Sequence, residues 1–193
     1  MKKLQAFFLL SLFISQSFAY KPLTQAIIEY CDNENNENKK EELLEKIKEL
    51  LHNNNRFDEP DPENDNMSPL YYVTLKRNDL LVRLFLNEGA GNADSPYVVV
   101  GNDDNRYYYT PLMRAVEDLS EPIVDHLLTH NANPNRPSYA PVIGDKEEVT
   151  ETTPLEWAHA KLIHMKENAA SEDKIATMER IITRLSFHPK IAA

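Results

Sequence analysis

Thr110-Pro111-Leu112-Met113-Arg114-Ala115, followed by Ile123-Val124 and then Leu127-Leu128, is the stretch that decides how this chain folds. The two apolar pairs lie four positions apart and so line one stripe of a helix. Thr110 ahead of Pro111 reads as a helix start. Its hydroxyl can accept a first-turn N–H, and a proline at the first helical position lacks only an N–H that has no partner there. Asn131 stands just past the second apolar run, where a left-handed residue closes a helix. The segment predicts a helix, a short turn and an antiparallel helix.

The pattern occurs four times. Lys21-Pro22-Leu23-Thr24-Gln25-Ala26, Ser68-Pro69-Leu70-Tyr71-Tyr72-Val73 and Thr153-Pro154-Leu155-Glu156-Trp157-Ala158 align with it, and the four prolines are 47, 42 and 43 positions apart. A second apolar helix pattern follows each of the other three. These are Leu43, Leu44, Ile47, Leu50 and Leu51; then Leu81-Val82 with Phe85-Leu86; then Met178, Ile181, Ile182 and Leu185. Ser68 and Thr153 repeat the capping role of Thr110, and Gly89 repeats the closing role of Asn131. A fixed period of this kind marks units that cannot bury their apolar face alone and stack into one continuous core.

On these residues the chain resembles the ankyrin repeat family. Thr110-Pro111-Leu112, Ala115, Ile123-Val124, Leu127-Leu128, His130-Asn131-Ala132-Asn133 and Asn135 match its pattern without a gap. Ser68-Pro69-Leu70, Leu81-Val82, Leu86 and Gly89-Ala90 match it in the unit before. The outer units depart from it: Lys21 replaces Ser or Thr, a polar insertion runs from Asp32 to Lys40, and the fourth unit carries extra residues from Lys166 to Lys174. The resemblance implies a mainly α solenoid of about four helix-turn-helix units, at 20–58, 67–93, 110–135 and 152–188, forming one domain over 20–193.

The connectors 94–109 and 136–152 are long for the family. Tyr97-Val98-Val99-Val100 and Arg106-Tyr107-Tyr108-Tyr109 flank Gly101 to Asn105, which predicts a β-hairpin. Ser138 to Ile143 and Glu147 to Thr152 flank Gly144-Asp145-Lys146 in a similar way. The connector from Glu59 to Met67 is short and proline-rich and need not form strands. In the resembled family such connectors project as hairpin fingers, and the first helix of each unit faces a concave groove.

Residues 1–19 are set apart from the fold. Lys2 and Lys3, the apolar run Ala6 to Ile14, and Ser17-Phe18-Ala19 form the pattern of an export signal cleaved after Ala19. The apolar run is too short to span a bilayer, which takes about 20 residues. The expectation is an exported, bacterial, periplasmic or secreted protein, without a membrane anchor once the signal is cut. Cys31 is the single cysteine, so no disulfide forms within one chain.

Composition narrows the function. Twenty-one basic against 31 acidic residues give a net charge of −10, and losing Lys2 and Lys3 takes it to −12. Such a chain is a poor match for nucleic acid, which demands a cationic surface. Only 4 glycines are present and no dinucleotide or P-loop motif occurs, so no cofactor is expected. His126 and His130 share a helix face, but no third ligand follows at metal-site spacing. Glu156 and His159 form a single E-x-x-H pair, and His52, His164 and His188 are isolated. Asp58-Glu59-Pro60-Asp61-Pro62-Glu63-Asn64-Asp65 lacks the glycine and distal glutamate of a calcium loop and reads as a solvated acidic loop. No hydrolase motif occurs, and no enzyme is expected.

Aromatic residues point instead to recognition. Tyr97, Tyr107, Tyr108, Tyr109 and Tyr139 lie in the connectors, and Tyr71, Tyr72 and Trp157 on first helices. Tyr and Trp bury large areas at low entropic cost, which suits them to interface hot spots. Strand alternation puts Tyr107 and Tyr109 on one face and Tyr108 on the other. The expected partner contacts are Tyr71, Tyr72, Lys76, Tyr107, Tyr109, Arg114, Asp118 and Trp157. Replacing Tyr107, Tyr109 and Trp157 by alanine is expected to abolish binding with the fold intact. Carboxylates at Asp103, Asp104, Glu117, Asp118, Glu147 and Glu148 favour a basic protein partner. Alternative roles are an inhibitor or immunity-type partner of a periplasmic enzyme or toxin, or a secreted effector acting on host proteins.

Overall fold

Three of the four Ser-Pro or Thr-Pro pairs, at Ser68, Thr110 and Thr153, open a capped helix in the computed structural model, which describes residues 22–33, 35–53, 61, 65–88, 92–100, 106–139 and 151–187. The fourth, Ser95-Pro96, leads into a strand. Ser68 Oγ accepts the Tyr71 N–H at 3.1 Å and Thr110 Oγ1 the Met113 N–H at 3.2 Å. Thr153 makes a full capping box: its Oγ1 accepts the Glu156 N–H at 3.2 Å, while Glu156 Oε2 accepts the Thr153 N–H at 3.0 Å. Lys21, Gly89 and the export segment lie outside the described residues.

The helices are α1 (22–32), α2 (Glu37–Asn53), α3 (Pro69–Leu75), α4 (Asp79–Asn87), α5 (Pro111–Glu117), α6 (Glu121–Thr129), α7 (Pro154–Glu167) and α8 (Glu172–Phe187). Among the described residues, four short strands stand between them: β1 (Tyr97–Val100), β2 (Arg106–Tyr109), β3 (Ser138–Tyr139) and β4 (Glu151–Thr152). β1 pairs antiparallel with β2, Tyr97 opposite Tyr109, and β3 pairs with β4, Ser138 opposite Thr152. The turn residues 101–105 and 140–150 lie outside the described set.

The two helices of a pair are joined by the same turn three times, and none of the three uses glycine. Arg77, Leu119 and Ala169 take φ of 53°, 55° and 50°. Around each, two N–H groups reach back to the carbonyls the helix leaves open. Arg77 N donates to Thr74 O and Asn78 N to Val73 O; the same pattern joins Leu119 to Val116, Ser120 to Ala115, Ala169 to Lys166 and Ala170 to Met165. Asn131, with φ 65°, closes α6 in the same way, as its place in the sequence predicts.

A side chain with a Cβ is strained in this conformation, by roughly 1–2 kcal/mol. Ala169 is exposed, so glycine there relieves the strain without opening a cavity. Ala169→Gly should raise stability by about 1 kcal/mol and the melting temperature by roughly 2–4 °C. Ala176→Gly, inside α8, should lower stability by a similar amount. A lower melting temperature for Ala169→Gly in a calorimetric scan would contradict the turn geometry.

One core runs through all the helix pairs. Leu23, Ile27, Leu43, Ile47 and Leu51 of α1 and α2 join Leu70, Val73, Leu81, Val82 and Phe85 of α3 and α4. Leu112, Val116, Ile123 and Leu127 continue it through α5 and α6 to Ala158, Met178, Ile181 and Leu185. Apolar surface removed from water at about 25 cal/mol per Å² drives this stacking.

Three places differ from their sequence reading. Most of the polar insertion from Asp32 to Lys40 is not a loop, because α2 begins at Glu37. The extra stretch read from Lys166 to Lys174 covers the end of α7, the turn and the start of α8, and both helices are long: α7 has 14 residues where α3 and α5 have 7, and α8 has 16 where α4 and α6 have 9. Asp61 belongs to the interior rather than to a solvated acidic loop. It is 2% exposed, accepts the Thr24 hydroxyl at 2.7 Å and pairs its backbone with Met67, which in turn bridges to Tyr97.

Candidate functional site

The turns and caps align the first helices so that the same two positions recur on each. Position one holds Gln25, Tyr72, Arg114 and Trp157; position two, four residues later, holds Glu29, Lys76, Asp118 and Lys161. Residues four apart on a helix are neighbours, and each pair is in contact. Gln25 Nε2 donates to Glu29 at 2.9 Å, and Arg114 grips Asp118 with Nε and Nη2 at 2.8 and 2.9 Å. Lys76 Nζ lies 5.4 Å from the centre of the Tyr72 ring and Lys161 Nζ 5.9 Å from that of Trp157, both cation–π arrangements.

Asp118 is the hub of a charge network. Its side chain is 4% exposed, and besides the two bonds from Arg114 it accepts Arg77 Nη2 at 2.6 Å. Arg114 Nη1 also donates to Glu117 at 3.0 Å. A carboxylate at a helix C-terminus faces the unfavourable end of the helix dipole, and two guanidinium groups compensate it here. Arg77, at the turn after α3, thereby ties α3 to α5. Burial pushes the Glu117 carboxyl above the ordinary value, with Arg114 opposing.

Beside the first helices runs a chain of tyrosine rings. Tyr71 of α3 lies 5.3 Å from Tyr97 of β1, Tyr97 5.7 Å from Tyr109 of β2, and Tyr109 6.4 Å from Tyr139 of β3. Tyr107 meets Tyr139 edge-on at 4.6 Å. These spacings are those of favourable aromatic pairs. Tyr107 and Tyr109 share the face that carries Tyr139, while Tyr108 is more exposed, as strand alternation predicts. Hydroxyls fix the strands to the helix starts: Ser68 Oγ donates to Ser95 O at 2.9 Å, and Ser138 Oγ accepts the Thr110 N–H at 3.1 Å.

Burial raises the phenol pKa of Tyr71, Tyr72 and Tyr109. Each therefore keeps its proton in the folded chain at a pH where the unfolded chain loses it, so the folded state binds more protons. Stability then falls as pH rises above about 10, the ordinary phenol value. The Tyr71→Phe variant should lose less stability over this range than the wild type, as read by urea midpoints. An alkaline slope unchanged by Tyr71→Phe would contradict this.

His126 and His130 serve the opposite, second-helix side, whereas His159 and His164 lie on α7. His126 Nε2 lies 3.3 Å from Asp79 of α4. His130 Nδ1 reaches His126 O at 2.8 Å and its Nε2 reaches Asn87 at 3.2 Å. The two rings thus tie α6 to α4 separately, and Glu156 is taken up by its capping box. Among the described residues no three His, Cys, Asp or Glu side chains converge as metal ligands would. Arg180 and Arg184 of α8 pair with Glu121, and Arg184 also with Asp125, joining α8 to α6.

The expected contact residues thus divide. Tyr72, Lys76, Tyr107, Tyr109 and Arg114 are half-buried or exposed, whereas Tyr71 and Trp157 are 6% and 4% exposed and form the floor. Asp118 and Glu117, counted as attractors for a basic partner, are held by arginines of the chain itself. Asp103, Asp104, Glu147 and Glu148 lie outside the described residues. Sequence reading passed over Arg77 and Lys161, although Lys161 is found by carrying Lys76 along the repeat period.

A search of curated proteins finds no match. A family model described as "Ankyrin repeats (3 copies)" matches residues 36–138, from just before α2 to the start of β3. That match spans more than half of the 193 residues and includes the two central helix pairs with their Pro-led starts, so the chain belongs to the ankyrin repeat family, whose repeats are protein–protein interaction modules.

Proposed function

We propose that this protein is an exported interaction module that captures a protein partner on its concave, first-helix face. In this reading residues 1–19 direct export to the periplasm or beyond, and residues 20–193 form four units at 20–58, 67–93, 110–135 and 152–188. The connectors 94–109 and 136–152 act as fingers along one rim. The carrying observation is the recurrence of one contacting i,i+4 pair on successive first helices, with a tyrosine chain alongside. Rigid aromatic area next to preorganised charge is the composition of an interface hot spot. No catalysis is needed for this role.

Hydrogen exchange on the full chain, alone and with a protein that copurifies with it, tests the proposal. Amides of α3, α5, the first half of α7 and the β1–β2 pair should exchange more slowly in the complex. Protection confined to α4, α6 and α8 would place the interface on the other side and end this reading.

A further inference from the structure

The chain is acidic as a whole, yet its first-helix face from α3 to α7 is not. Lys76, Arg77, Arg114 and Lys161 stand there against Glu117 and Asp118. The two carboxylates are engaged by Arg77 and Arg114. Lys76 and Lys161 form no ion pair within 4 Å among the described residues, although Lys161 is near enough to Glu117 to attract it and Asp32 stands near the Tyr72–Lys76 pair. Each ammonium is held near an aromatic ring, at 5.4 and 5.9 Å, so its position is set before anything binds. Arg77, 62% exposed at its side chain, adds positive potential next to Lys76.

We propose that the partner presents an extended acidic peptide segment to this face, with one carboxylate at Lys76 and another at Lys161. The inference rests on the first-helix face being the interface. Helix α5 separates α3 from α7, so the two ammonium groups are two helix spacings apart, roughly 16–20 Å. Extended chain rises about 3.3 Å per residue, which sets the two carboxylates about five or six residues apart. The preceding pair, Gln25 and Glu29 on α1, carries the opposite sign. An acidic segment therefore ends before α1 or changes to a basic residue there. Nucleic acid is a worse occupant, because the chain's net charge of −10 repels a long polyanion.

The test selects displayed random 12-residue peptides on the immobilised full chain, on the charge-reversed Lys76→Glu/Lys161→Glu variant, and on Tyr72→Ala/Tyr107→Ala. Wild type should enrich peptides with paired Asp or Glu at that spacing. These should bind the charge-reversed variant about tenfold or more weakly, and that variant should enrich basic peptides instead. A basic, uncharged or empty selection on wild type overturns the acidic segment, as does equal binding of acidic peptides to the charge-reversed protein. If the selected peptides, whatever their charge, lose binding to Tyr72→Ala/Tyr107→Ala, the face still stands; if they do not, it falls too. Thermal melts verify folding, and Lys76→Gln/Lys161→Gln, expected to lose acidic binding without gaining basic binding, replaces the reversed variant should that one not fold.

Discussion

Trp157→Ala should cost about 3–5 kcal/mol of stability, the range for deleting a buried large aromatic side chain. Trp157 is 4% exposed and belongs to the continuous core, although it shares a row with the half-buried Tyr72 and Arg114. Its loss also removes the ring beneath Lys161. A domain holds only about 5–15 kcal/mol in total, so this change consumes a large share. Because a repeat stack is held by contacts between neighbours, α7 and α8 should loosen first. Trp157 is the one tryptophan of the chain, so urea unfolding is best followed by far-ultraviolet circular dichroism. Trp157→Phe, which keeps most of the volume, should lose much less. A loss under about 1 kcal/mol for Trp157→Ala would mean that the indole is a surface group, as the sequence reading had it.

The helix starts were legible because they are local chemistry. A hydroxyl, a proline and a leucine in succession mark where α3, α5 and α7 begin, and all three caps have the expected bonds, whereas Ser95-Pro96-Tyr97 leads into β1. Asn131 was legible for the same reason. The turns at Arg77, Leu119 and Ala169 were not, since left-handed backbone without glycine is visible only once the repeats are superposed. Asp61 was hidden because its partner, Thr24, lies 37 residues away in α1. An acidic, proline-rich segment gives no local sign of that bond.

Within the site, register could have separated Tyr71 from Tyr72. Tyr71 aligns with Met113, an apolar residue that is 1% exposed, whereas Tyr72 aligns with Arg114. Register does not explain why Trp157, in the row of Tyr72 and Arg114, is buried. The partnering of Asp118 by Arg77 was likewise invisible, because it joins two turns 41 residues apart. Counting carboxylates along the chain therefore overstated the negative charge this face offers to a partner.

Capture of a protein partner on the first-helix face is tested most directly by the Tyr72→Ala/Tyr107→Ala variant. Both side chains are half-buried, so their loss should leave the chain folded with a lower melting temperature. At an interface each would act as an aromatic anchor, and removing a hot-spot residue costs about 2 kcal/mol or more. Together they should weaken binding of a copurifying partner by at least roughly a hundredfold. Arg180→Ala, which breaks an α6–α8 ion pair on the other side, serves as the control and should leave affinity unchanged. The measurement is the dissociation constant of that partner for all three proteins by titration calorimetry. The tyrosine variant alone should show a large loss; equal affinities for wild type and the tyrosine variant would contradict capture on the first-helix face.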